Sequence, residues 1–294
     1  MRLFAALAPF LLLCASGARA ETATRSRFLM GTVCEITANG PEAGKAIDDA
    51  LAVVAHLDEV TSVSRENSEL SKLNRRALFE PFSCSNELFE VLHAANEVYR
   101  FSGGAFDPTF VRDKPAPGFS KVRLDTDRRR VEFLTPNLRV SLDAIGRGFA
   151  LDAAAQALEE HQVRSALLNF GGQFFALGAP PGRAAWDVEV AGAPVVLRIK
   201  NQSVSTSSQG NRPWHIRDPR TGKRVERKSS VAVVAADGAH ADAWSIALFV
   251  LGVAHAPKAF TGCAFETAGG KIIAQTPACS KVFVPVASSK ASTK

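Results

Sequence analysis

The chain has 294 residues, 46% apolar, 22% charged and 8% aromatic, with a formal charge of +6. That composition suits a globular protein with one large core or two small ones, and it excludes disordered, collagen-like and coiled-coil chains. Its uninterrupted apolar run, Leu3 to Ala15, is shorter than the roughly 20 residues that span a bilayer, which excludes a polytopic membrane protein.

That run follows Met1-Arg2 and ends at Ala18-Arg19-Ala20, the charged start, apolar middle and small-x-small exit of a secretory signal peptide. Cleavage is expected after Ala20, leaving residues 21–294 as a single periplasmic domain. Cys14 offers a lipid anchor, and with it peripheral membrane association, as the alternative; the bulk of Leu13 before it disfavours this. Loss of Arg2 and Arg19 lowers the formal charge from +6 to +4. Four cysteines remain, Cys34, Cys84, Cys263 and Cys279. An oxidising compartment permits disulfides among them, with all three pairings open. The basic clusters Arg128-Arg129-Arg130, Lys223-Arg224 and Arg227-Lys228 read as solvated turns, and no nucleic-acid partner is expected.

In chain order, Thr32 to Thr37 alternates as a strand. Glu42 to Val60 follows as a helix with Ile47, Leu51, Val54 and Leu57 on one face. Ser85 can cap a second helix with the stripe Leu88, Val91, Leu92, Ala95 and Val98, stopped by Gly103-Gly104. Val122 to Leu124, Arg130 to Phe133 and Leu138 to Leu142 read as short strands. A helix runs from Gly146 to about Glu160 with Leu151, Ala154, Ala155 and Leu158 inward. Further strands are expected at Ala166 to Asn169, Trp186 to Val190, Val195 to Ile199, Ser203 to Thr206 and Val231 to Ala235. A helix from about Ala239 to Leu251 follows, then strand-like runs at Lys271 to Ala274 and Val282 to Val286. Many strands and few helices, not strictly alternating, predict an α+β fold.

The chain lacks a P-loop, a G-x-S-x-G elbow, an H-E-x-x-H pair and a dinucleotide G-x-G-x-x-G. Gly146-Arg147-Gly148 opens a helix whose first N–H groups suit a phosphate. Taken together, several segments say more: Met30-Gly-Thr32, Ser68-Glu-Leu-Ser71-x-Leu-Asn74, Gly104-Ala-Phe-Asp107-Pro-Thr109, Ala144-Ile-Gly-Arg147-Gly-Phe-Ala-Leu-Asp152, Asn169-Phe-Gly-Gly172, Ser205-Thr-Ser207, His215-Ile-Arg-Asp218-Pro-Arg-Thr-Gly222 and Ala241-Asp-Ala243. Their order over residues 28–252 resembles the ApbE family of FAD:protein FMN transferases.

The resemblance implies a bilobed α+β fold, with mixed or antiparallel sheets flanked by helices, that binds FAD in a cleft. It also implies Mg²⁺-dependent cleavage of the FAD pyrophosphate, transfer of FMN to a Thr or Ser hydroxyl of an exported redox protein, and release of AMP. Position by position, Met30, Ala105, Phe106, Asp107, Ser141, Arg147 and Ile216 fall on the flavin-binding segments. Ala144 falls where a backbone carbonyl meets the metal, and Asp242 where a carboxylate does. His215 is the candidate base for the acceptor hydroxyl. Asp242 is expected at the start of its helix, where the dipole favours a carboxylate.

Five departures stand out, one of them Gln173 where the family often carries an acid after Gly-Gly. Ile246 replaces the usual Thr one turn after Asp242, leaving Ser245 as a substitute oxygen. Ser141 replaces an acid, Ser64 an aromatic, and Arg147 a lysine while keeping the charge. Ile246, Ser141 and Ser64 together make a weakened, flavin-carrying protein the alternative to a transferase, with an FAD pyrophosphatase as the third reading.

Overall fold

The structure, a computed structural model, describes residues 21–110, 115–210 and 216–284. The expected signal peptide, Cys14, His215 and the end of the last strand-like run lie outside the described residues.

The fold is α+β. An antiparallel sheet of eight strands carries it: β1 (Thr22–Leu29), β2 (Thr32–Asn39), β6 (Ser165–Phe170), β7 (Gln173–Gly178), β10 (Gln202–Ser208), β11 (Ser230–Ala235), β12 (Cys263–Ala268) and β13 (Lys271–Gln275), in that spatial order. Short strands form two smaller sheets, β3 (Phe82–Ser83) with β5 (Arg130–Phe133) and β4 (Val122–Asp125), and β14 (Phe283–Val284) with β9 (Val196–Ile199) and β8 (Trp186–Glu189). The described residues also form five α-helices: α1 (Ala43–Thr61), α2 (Glu69–Arg76), α3 (Asn86–Phe101), α4 (Gly146–Glu160) and α5 (Gly238–Leu251).

Strand period explains the layering, because successive residues of a strand point to opposite faces. On β11, Val231 and Val233 face the helical core with α3 and α5, whereas Ala232 and Val234 face a second core shared with β8 and β9. The strand is therefore buried on both sides and reads as an unbroken apolar run. On the helical side, Ile36, Leu168 and Phe170 pack against the stripes of α1 and α4. Nearly every side chain of α5 is buried, as expected of a helix apolar all round.

The expected helices form within a residue or two of their predicted ends, and Ser85 caps α3 by accepting from the Leu88 N–H. Leu138 to Leu142 is not a strand. Its alternate residues Leu138, Val140 and Leu142 are buried, but its main chain pairs with a side chain: Asn74 donates to the Val140 carbonyl and accepts from its N–H, at 2.9 and 2.8 Å. The period-2 pattern was correct and its hydrogen-bonding partner was not a strand. Strands β1, β3, β7 and β12 and helix α2 were not anticipated. β1 is a polar edge strand, exposed along most of its length. β7 follows β6 through a two-residue turn at Gly171-Gly172, both at positive φ, the geometry of a tight hairpin.

Cys263 and Cys279 form a disulfide that ties β12 to the turn before β14, and Cys34 and Cys84 are free. No helix among the described residues is long and apolar enough to cross a membrane.

A main-chain contact joins α4 to α5. A Cβ on Gly148 would lie 2.0 Å from the Gly238 carbonyl oxygen, and one on Gly238 would lie 2.3 Å from that of Gly148. Gly146, one residue pair earlier, would meet nothing nearer than the Met30 Cε at 3.7 Å. Gly148→Ala should therefore cost about 3 kcal/mol or more, at the upper end of overpacking effects, while Gly146→Ala costs less than about 1 kcal/mol. Denaturant titration of the two variants distinguishes them, and equal losses would contradict the close approach.

Candidate functional site

The site forms where α4 and α5 start. The residue preceding α4, Ile145, has no side chain able to cap it, so its first N–H groups must find other partners. Gly148 N–H finds Asp242 Oδ2 at 3.3 Å. In a regular continuation of the helix it would have bonded the Ala144 carbonyl, and among the described residues no hydrogen bond to that oxygen is made. Ala144 therefore presents a free main-chain acceptor.

Asp242 is 3% exposed. It lies in the second turn of α5, not at its start, so its donors come from other elements: Gly148 N–H, and Ser205 Oγ on β10 at 3.3 Å. The expectation of a carboxylate held by its own helix N-terminus is thus corrected. Burial pushes the Asp242 carboxyl above the usual range, opposed by the positive charge of Arg147 and by the bonds from Gly148 and Ser205. Ser245 is fully buried. Its hydroxyl donates to the Asp242 carbonyl at 2.8 Å and meets Ser207 Oγ at 2.6 Å.

A cleft of about 770 Å³ opens over this region, within the size range of small-molecule sites. Phe106, Asp107, Ser141, Ala144, Arg147, Ile216 and Asp242 of the expected set line it, and Ile246 lines it too. Ala105 is fully buried and does not line the cleft. Met30, at φ 50° in the β1–β2 turn, reaches toward Gly146 at the start of α4. Ser64 is exposed and its neighbour Val63 lines the cleft. Asp107 accepts from both the Thr109 N–H and hydroxyl, at 2.8 and 2.7 Å, which folds its loop against the cleft; burial raises its carboxyl above the usual range. Ser141 is tied to that loop by its N–H, which donates to the Pro108 carbonyl.

Several contributors carried no assigned role in the sequence. The alternation Ser205-Thr-Ser207 places two hydroxyls on the helix-facing side of β10, a polar stripe in an otherwise apolar wall. Asp152 follows Gly148 by four residues, so it lies one turn along the same face of α4, and it takes the Gly238 and Ala239 N–H groups at 2.5 and 2.9 Å. Gln173 donates to the Gly238 carbonyl at 3.3 Å, and its buried Oε1 has no partner among the described residues. Gln209 bridges Ile216 and Val225, which fixes the segment carrying Ile216. Among the described residues no three His, Cys, Asp or Glu side chains gather into a metal cluster. The oxygens available to a cation are one carboxylate and a main-chain carbonyl, hard donors of the kind Mg²⁺ takes when waters complete its shell.

A family model for ApbE matches residues 30–112 and 111–264. A protein of Chlamydia muridarum named FAD:protein FMN transferase is 27% identical over 241 residues, covering 70% of this chain and 75% of its own. One of the same name from Treponema pallidum is 27% identical over 294 aligned residues, covering 81% of each. Among solved structures, the flavin transferase ApbE from Vibrio cholerae has a TM-score of 0.77 at 20% identity, covering 90% of this chain and 99% of its own.

Burial pushes the Asp152 carboxyl up to about 7, against about 4 for an ordinary aspartate. Between those values the folded chain holds a proton that the unfolded chain releases, so this group's contribution to stability declines as pH rises from about 4 to about 7. His240, raised by its hydrogen bond to Asp237, acts in the same sense, its stabilisation being lost as pH rises past its folded value. The thermal midpoint should fall between pH 5 and 7, and less steeply in Asp152→Asn. Parallel slopes in scanning calorimetry would exclude Asp152 as the source.

Proposed function

This chain belongs to the ApbE family, and on that premise we propose that it is an exported, Mg²⁺-dependent FAD:protein FMN transferase. The observation that carries the reading is one cleft lined by the Asp242 carboxylate, the segment bearing the free Ala144 carbonyl, and the Arg147 guanidinium. The names of the relatives support it.

In this reading the acceptor Thr or Ser oxygen bonds to the phosphorus on the FMN side of the pyrophosphate. The bond from that phosphorus to the bridging oxygen breaks, AMP leaves, and the hydroxyl proton passes to a base. His215 is that base in the proposal, supported by the position of Ile216, its neighbour in sequence, in the cleft wall. Arg147 can grip the pyrophosphate through two parallel N–H bonds, and Asp107 and Ser141 hold the loop on which Phe106 faces the flavin. Asp242 and the Ala144 carbonyl would hold Mg²⁺, which when bound supplies neutralisation of the pyrophosphate charge and of the charge developing on the leaving group. Ser245 steadies the turn that carries Asp242, since its hydroxyl is already engaged. The acceptor is a redox protein in the same compartment, and the Cys263–Cys279 disulfide supports export.

Ile246 favours the second reading, a weakened transferase that mainly carries flavin, because it lines the cleft one turn from Asp242 and offers no oxygen. Residues 21–294 incubated with FAD, Mg²⁺ and a Thr-bearing acceptor domain decide the matter. Fluorescent acceptor on a denaturing gel supports transfer, free FMN with AMP indicates a pyrophosphatase, and intact bound FAD indicates a carrier.

Asp242→Asn should lower transfer by about 100-fold or more, the scale of losing one electrostatic group from a polar transition state. Its thermal midpoint should stay level or rise, because burial already disfavours the charge. Ile246→Thr should lower the Mg²⁺ concentration for half-maximal transfer, and an unchanged requirement would remove that position from the cation's surroundings. For export, N-terminal sequencing of the periplasmic form should begin at Glu21; a chain retaining Leu3 to Ala15 would refute cleavage.

A further inference from the structure

We propose that Asp152 is a positioning residue for Asp242, setting the register of α5 against α4 so that the buried carboxylate and the Ala144 carbonyl face the same point; this rests on the reading of Asp242 as a cation ligand. The two helices exchange carboxylates. Asp242 on α5 takes the Gly148 N–H of α4, and Asp152 on α4 takes the Gly238 and Ala239 N–H groups of α5. The members of each pair are four residues apart, so both contacts fall one turn apart on each helix.

Asp152 caps α5 from another helix, taking two first-turn N–H groups that Asp237 leaves open. The start of α5 already has a cap in Asp237, whose side chain accepts from the His240 N–H at 2.8 Å. A second buried carboxylate at the same helix start is an added desolvation cost. What Asp152 adds is a two-point grip on the Gly238 peptide, reinforced by the Gln173 amide on the Gly238 carbonyl and by the direct Gly148–Gly238 contact. With that peptide fixed, Asp242 one turn later has one position available. Asp152 does not line the flavin cleft; it faces a separate groove between α1, α3 and α4. It therefore acts through α5.

The inference is tested in the mature chain with Asp152→Ala, which removes both acceptors, and Asp152→Asn, which keeps one. Amide exchange at Gly148 is followed by NMR without ligand, and FMN transfer is followed against FAD and Mg²⁺. In Asp152→Ala the Gly148 N–H should exchange at least tenfold faster. Half-maximal Mg²⁺ should rise at least tenfold and kcat fall at subsaturating Mg²⁺, with KM for FAD within twofold of wild type. Asp152→Asn should lie between. Wild-type exchange at Gly148 and an unchanged Mg²⁺ requirement in Asp152→Ala would overturn the proposal, as would a uniform rise in exchange across the whole core. Should Asp152→Ala fail to fold, Asp152→Asn is judged by the same criteria. If the wild type transfers no FMN, the transferase reading fails by itself, and the shift of the Gly148 amide on Mg²⁺ titration still decides the role of Asp152.

Discussion

Two glycines let the main chains of α4 and α5 touch. Gly148 and Gly238 approach so closely that a methyl group on either would overlap the other's carbonyl, and this contact brings Asp242 within reach of Gly148 N–H. Moving the helices apart by the width of one side chain would leave Asp242 buried without its main-chain donor. An unpaired carboxylate in an apolar interior is among the more costly arrangements a protein can hold. The rest of the site follows from that contact: Gly148 N–H turns away from Ala144, and the Ala144 oxygen is left open.

The surroundings of Asp242 are polar by design of the strand beneath it. β10 presents Ser205 and Ser207 on the face toward α5, where β11 beside it presents Val231 and Val233. Ser205 reaches the carboxylate, and Ser207 holds Ser245, which in turn holds the main chain of Asp242. Two neutral donors at 3.3 Å satisfy only part of a carboxylate, which has about four acceptor positions. The balance of charge is met by Arg147, whose guanidinium lies toward solvent on the first turn of α4. The carboxylate therefore keeps capacity for a further positive partner.

Elsewhere the large sheet is covered on its other face. The small sheet of β8, β9 and β14 packs over the opposite face of the large sheet, and the disulfide at Cys263–Cys279 lies in that layer. Asn74 acts near the cleft. By pairing with Val140 as a strand would, it holds the segment leading to Ser141 and Ala144 without committing another strand to the spot.

By itself the sequence determined the helical stripes, most of the strands, the α+β class and, through its ordered motifs, the family. These are local properties, since periodicity, capping and turn residues act over a few neighbours. It also brought forward Asp107, Ala144, Arg147 and Asp242, which the fold gathers from three separate segments into one cleft. Tertiary structure alone decided who satisfies whom. That Asp242 is served by Gly148 and Ser205, that Asp152 grips the start of α5, that Asn74 substitutes for a strand, and that Cys263 pairs with Cys279 all depend on contacts between segments distant in the chain. A hydrogen-bonding group in the sequence names what it can bond; only packing fixes which partner comes within 3.5 Å of it.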